Sequence, residues 1–300
     1  MPVYSHSRLS TFETCPRQFH FRYVLRVPEE SEGIEAFVGK RVHEVLERLY
    51  EFVDRGQVPP LQKVVDRYYQ IFDEHWDDAR IRIVKEGTDK AFYRELGSRC
   101  LHNYYRRHYP FDADETLGLE ERVLFELDEA GRYKVQGIVD RISRAPDGAI
   151  EIVDYKTGQW VPSQSKLDED RQLALYQLGL QKVYGPKQPM RLVWHYVAKG
   201  VTRVSQRTPE QLERLRATTM ERIDEIQRES AYEPKPSRLC DWCEYRSLCP
   251  AFREDGDARA QDAANASAPT NASARRAGDA QRPARPSALR VGRTGQLDLL

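Results

Sequence analysis

GIVDRISRAPDGAIEIVDYKTG, residues 137–158, holds two apolar runs joined by Ala145-Pro146-Asp147-Gly148. Pro and Gly in those places are hairpin chemistry, so the stretch reads as two antiparallel strands. Asp140 ends the first run, and Asp154 and Lys156 stand two apart on the second. Residues i and i+2 of a strand share a face, and hairpin pairing can bring Asp140 beside them. Two carboxylates that face each other repel unless a cation lies between them, and oxygen ligands suit Mg²⁺ or Mn²⁺. Such an ion activates water and stabilises charge building on a phosphate, while an adjacent lysine orients the water or neutralises the transition state. A lone D-x-K is more often a solvated surface pair. Here Val139, Ile152 and Val153 flank the acids, which sets them where a core face meets an opening.

Upstream, LEERVLFELDEAGRYKVQ (119–136) supplies a further strand and the turn DEAG, so 119–158 reads as three strands. Before it, the segment 5–27 opens as a helix, 39–55 has apolar residues at helical spacing (Val42, Val45, Leu46, Leu49, Val53), and 61–76 and 89–108 also read as helices. After it come a helix at 169–184 closed by Gly185, strands at 190–198 and 201–206, and a long amphipathic helix at 208–229.

An Asp in G-x-x-D-R, a turn, and then D-Y-K-T-G resembles the PD-(D/E)xK nuclease superfamily, and more narrowly its RecB-type branch. That branch carries a Q-x-x-x-Y motif on the next helix, matched by Gln172 and Tyr176, and a His on an upstream helix, matched by His43 in GKRVHEVLE. The resemblance covers about residues 5–252. It implies an α/β, restriction-endonuclease-like αβββαβ core with an N-terminal helical region. It implies that His43, Asp140, Asp154 and the backbone carbonyl of Tyr155 ligate the metal. Lys156 is then the catalytic lysine, and Gln172 and Tyr176 support the site or the DNA.

CDWCEYRSLCP, residues 240–250, spaces three cysteines as C-x₂-C-x₅-C, one ligand short of a metal site. SRLSTFETCPRQFHFRYV (7–24) resembles the opening of the iron–sulfur members of the same branch, the AddB-type nuclease domains and the nucleases of CRISPR adaptation. The resemblance makes Cys15 the fourth ligand and implies a [4Fe–4S] cluster held by Cys15, Cys240, Cys243 and Cys249. By residue chemistry alone, four thiolates equally suit zinc. Ligands so far apart in sequence would close nearly the whole domain into one loop, a structural staple. Cys100 is left over and reads as a small buried hydrophobe.

Lys plus Arg and Asp plus Glu number 47 each in 300 residues, so net charge points to no polyanion partner and local patches must bind any nucleic acid. The opening MPVYSHSRLSTFETCP lacks the apolar core of a signal peptide, and no run is long and apolar enough to span a membrane. With five cysteines read as reduced, the expected location is the cytoplasm, with no membrane partner. GIEAFVGKR (33–41) departs from a phosphate loop in spacing and in Arg41, and no ATPase motif is present, so a partner helicase would have to unwind DNA. RQFHFRYVLR (17–26) and HNYYRRHYP (102–110) interleave bases with aromatics. That pattern fits either a single-strand surface or a helix with an aromatic core face and a basic solvent face.

The nuclease domain is thus expected over 1–253, followed by a disordered linker at 254–295, which has almost no large apolar residues. The last five residues, Gln296, Leu297, Asp298, Leu299 and Leu300, resemble the peptide by which bacterial repair proteins dock into the sliding clamp. The expected activity is a metal-dependent DNA nuclease, an exonuclease on single-stranded or unwound DNA in repair or recombination. The alternatives are a CRISPR-adaptation nuclease that trims new spacers and an inactive DNA-binding accessory module.

Overall fold

A computed structural model describes residues 2–252 and two short strands, 289–291 and 297–298. The chain begins with strand β1 (Val3–Tyr4), helix α1 (His6–Thr14), helix α2 (Pro16–Phe19) and a π-turn over His20–Val24. The segment 5–27 opens as a helix, as expected, and Pro16 then interrupts it: it holds the preceding Cys15 in extended backbone, with φ −158° and ψ 111°. A strand β2 (Glu32–Gly33) leads into α3 (Ile34–Val53), followed by α4 (Leu61–Glu74), β3 (Ile81–Arg82) and α5 (Lys90–His108). The start of α3 at Ile34 draws GIEAFVGKR into helix, away from any phosphate loop.

The three expected strands are β4 (Glu115–Glu126), β5 (Lys134–Arg144) and β6 (Ile150–Lys156). The β5–β6 turn closes through Gly148, whose φ of 82° suits a residue without a Cβ. A short α6 (Gln164–Asp168) precedes α7 (Gln172–Tyr184), β7 (Met190–Tyr196), β8 (Val201–Ser205) and α8 (Pro209–Arg228). α8 starts with a capping box, in which Thr208 and Gln211 satisfy each other's backbone N–H groups, and has Pro209 in its first turn. β9 (Leu289–Val291) and β10 (Leu297–Asp298) complete the sheet.

The sheet runs β10-β9-β4-β5-β6-β7-β8, with β1 alongside β5. It is mixed: β4, β5 and β6 are antiparallel neighbours, β6 and β7 are parallel, and β7 and β8 are antiparallel. One face carries Ile150, Ile152, Leu192 and Trp194 against α1, α7 and α8. The other carries Val153, Tyr155 and Val193 against α3, α4 and α5. This is the αβββαβ order expected from the sequence, so the restriction-endonuclease-like fold class holds. No helix among the described residues is long and apolar enough to cross a membrane.

The two basic–aromatic runs take the core-facing arrangement. Tyr104 and Tyr105 are buried on the inner side of α5, Phe19 is buried, Phe21 packs on Tyr245, and Arg22 pairs with Glu244. Most of their rings are thus the apolar side of helices rather than open stacking surfaces; Tyr109, just past the end of α5, is the exposed one. Leu289–Val291, within the expected linker, pairs with β4, and Leu297 and Asp298 pair with β9. Gln296, Leu299 and Leu300 of the clamp-like peptide lie outside the described residues.

Candidate active site

The β5–β6 register pairs Arg141 with Val153, which brings Asp140 beside the Asp154–Lys156 segment. Asp140 Oδ2 accepts the Tyr155 backbone N–H at 2.8 Å. From α3, His43 donates from Nε2 to the Tyr155 carbonyl at 2.7 Å, with Nδ1 3.4 Å from Asp140 Oδ2. Burial alone would lower the His43 pKa; Asp140, by charge and hydrogen bond, and Asp154 reverse this and raise it to about 9.

Asp154 is buried, and Lys156 Nζ lies 3.0 Å from its Oδ1 and 2.8 Å from its Oδ2. Gln172, at the start of α7, closes a triangle: its Nε2 donates to Asp154 Oδ1 at 2.9 Å and its Oε1 accepts from Lys156 Nζ at 2.9 Å. Burial raises the Asp154 carboxyl above its ordinary range; Lys156 pulls against this, and Asp140 adds to the rise. The triangle fixes where the Lys156 ammonium stands before any ligand arrives.

Tyr176, one turn after Gln172, is buried against β5. A Cβ placed on Gly137 would stand 2.0 Å from its ring Cε1. The glycine of G-x-x-D is therefore there to admit the tyrosine of Q-x-x-x-Y. Gly137→Ala should lower stability by about 1–3 kcal/mol through overpacking. Thermal unfolding of Gly137→Ala, alone and with Tyr176→Ala, checks this; an unchanged melting temperature in the single variant contradicts it.

Sequence reasoning missed Glu120. It falls between the pairs Leu119–Arg141 and Glu121–Val139, hence opposite Asp140, and its φ is 49°. That left-handed kink, rare for a residue with a Cβ, turns Glu120 toward α3. His43, Glu120 and Asp140 each offer a ligand atom within 4.8 Å of the others, the one such group among the described residues. Asp154 instead directs its oxygens at Lys156 and Gln172. An imidazole, carboxylates and a nearby backbone carbonyl form a donor set that suits Mg²⁺ or Mn²⁺. When bound, such an ion supplies Lewis acidity toward water and phosphate. The cleft has a volume of about 920 Å³ and is lined by His43, Glu120, Tyr155, Lys156, Thr157 and Gly158, together with Glu44, Glu47 and His75.

The sequence profile of the PD-(D/E)XK nuclease superfamily matches residues 3–250. The chain belongs to this superfamily. Superfamily members use divalent metals, and the His43–Glu120–Asp140 group suits one. The chain is similar to an ATP-dependent helicase/deoxyribonuclease subunit from Streptococcus uberis, 29% identical over 168 residues, which are 52% of this chain and 14% of that protein. It is also similar to the protein of the same name from Ruminiclostridium cellulolyticum, 28% identical over 182 residues, 53% of this chain and 16% of that one. The chain thus spans about one-seventh of the length of the curated relatives it matches. Among solved structures, that of SSO0001 is 15% identical, covering 83% of this chain and 96% of that one, with a TM-score of 0.32.

Away from the cleft, Cys15, Cys240, Cys243 and Cys249 line one cavity of about 30 Å³, although Cys15 lies near the opposite end of the sequence from the others. The Lys235 N–H donates to Cys15 Sγ at 3.4 Å and the Ser237 N–H to Cys240 Sγ at 3.3 Å. Glu244 binds Gln18 and Arg22, and Tyr245 donates to the Val27 carbonyl, so this lobe is tied to the N-terminal segment by ordinary contacts as well. Cys100 is buried under α5, as expected, and burial pushes its thiol up to about 12.

Proposed function

We propose that this chain is a divalent-metal-dependent deoxyribonuclease that degrades single-stranded or unwound DNA from an end, in repair or recombination. The observation that carries this reading is that His43, Glu120 and Lys156 line one open cleft, with Asp140 grouped with the first two and Asp154 and Gln172 holding Lys156. The relatives named as helicase/deoxyribonuclease subunits support DNA as the substrate and a helicase as a source of unwound strands. The intact ligands and lysine speak against an inactive accessory module.

In this reading His43, Glu120, Asp140 and the Tyr155 carbonyl hold the ion, and Asp154 helps to hold it and fixes Lys156. Lys156 donates to the scissile phosphate or the attacking water, and Gln172 keeps its ammonium aimed. The four thiols hold an iron–sulfur cluster, a reading supported by the cavity they share. Digestion of linear single strands labelled at either terminus, beside a covalently closed single-stranded circle, tests the exonuclease assignment. The linear strands should yield nucleotide-sized products progressively from one end while the circle survives. Cutting of the circle at a similar rate would make the enzyme an endonuclease.

A further inference from the structure

Apart from the exposed Tyr109, the rings of the two basic–aromatic runs turn inward, and the exposed aromatic on a loop that lines the cleft is Trp160. At 65% exposure it is the most exposed large apolar side chain among the described residues. It lies four positions past Lys156, on the loop between β6 and α6. Thr157 and Gly158 of that loop line the cleft, and two residues of chain reach at most about 7 Å. The Trp160 backbone therefore lies within about 7 Å of a residue that lines the cleft.

The loop is fixed on both sides. Thr157 lies against α3 at Gly39, where an added Cβ would meet its hydroxyl at 3.4 Å. Val161 packs on the core, and the Gln164 side chain donates to the Val204 carbonyl. Val161 is turned inward while its neighbour Trp160 is held in water, although an indole gains more from burial. The ammonium of exposed Lys166 stands 5.2 Å from the Trp160 ring centroid.

We propose that Trp160 is a stacking platform for one base of a single strand at the mouth of the cleft, with Lys166 taking the adjacent phosphate. This rests on the nuclease reading above and gives it a substrate preference. Every base has a π-face, so such a platform accepts any sequence. A base inside a duplex has both faces covered by its neighbours, so the platform favours single strands and frayed ends. Stacking also turns binding energy into register, holding the next phosphate toward the metal ligands and Lys156.

The test uses the full-length protein and a fluorescent oligothymidylate of about twelve nucleotides, with Ca²⁺ in place of Mg²⁺ for binding. Cleavage by the wild type with Mn²⁺ runs in parallel. Trp160→Ala should weaken binding about tenfold, and Trp160→Phe should restore most of it. On an abasic deoxyribose-phosphate strand of the same length the wild type and Trp160→Ala should bind alike, whereas Lys166→Ala should weaken binding to both strands. If the wild type cleaves DNA while Trp160→Ala binds thymidylate as tightly as it does, the platform is overturned and the nuclease reading stands. Equal weakening of Trp160→Ala on the abasic strand also overturns it, because the contact would then be to phosphate. A wild type that neither binds nor cleaves DNA overturns the nuclease reading itself.

Discussion

Asp154→Ala and Lys156→Ala should each reduce DNA cleavage by about a thousandfold or more, while affinity for DNA falls by no more than a few-fold. Lys156 Nζ is held by Asp154 and Gln172 at 2.8–3.0 Å, so its position is set before substrate arrives. A preorganised cation contributes little to ground-state binding and much when charge builds on the phosphate. Removing Asp154 leaves the ammonium fixed by Gln172 alone and withdraws a carboxylate from the metal region. Removing Lys156 leaves Asp154 buried without its counter-ion, a change that can also cost stability. Melting temperatures of both variants separate that effect from lost chemistry. Gln172→Ala should fall between the wild type and these two. If Asp154→Ala and Lys156→Ala cleave at the wild-type rate, the triangle is structural only.

Cys240→Ala should lower the melting temperature by about 10 °C and abolish the visible absorption of anaerobically purified protein. Cys15 and Cys240 are about 225 positions apart. A cluster joining them closes a loop of nearly the whole domain and removes on the order of 5 kcal/mol of chain entropy from the unfolded state. The contacts of Glu244 with Gln18 and Arg22, and of Tyr245 with the Val27 carbonyl, survive the substitution. The domain should therefore loosen at its cysteine lobe first rather than fail to fold. Iron and acid-labile sulfide should be present in the wild type and depleted in the variant; stoichiometric zinc in the wild type contradicts the assignment.

The chain reports its fold and half of its site openly. Period-2 alternation with two hairpin turns marked β4, β5 and β6, and the D-x-K pair two apart on β6 announced a shared face. His43 and Gln172 were legible through the motifs around them. Glu120 was not, since its role depends on a left-handed backbone at one position of an otherwise regular strand. The sequence offers there only two adjacent acids, Glu120 and Glu121, which alternation assigns to opposite faces. The aromatic runs left two readings open for a related reason: composition does not say which side of a helix meets the core, and Tyr104 and Tyr105 went inward while Tyr109 stayed exposed. The break at Cys15-Pro16 was signalled by the proline itself. Trp160 carries no periodic signal, because a loop's outward residue is fixed by what anchors its neighbours.

The account stands most directly on metal-dependent hydrolysis at the His43–Glu120–Asp140 group. The decisive measurement is cleavage of a labelled single strand by chelator-treated protein, before and after addition of Mn²⁺ or Mg²⁺, beside His43→Ala and Glu120→Gln. The account predicts no cleavage in chelator, restoration by either ion, and a higher ion concentration for half-maximal rate in both variants. Cleavage that persists in chelator, or variants that respond to the ions as the wild type does, would contradict it.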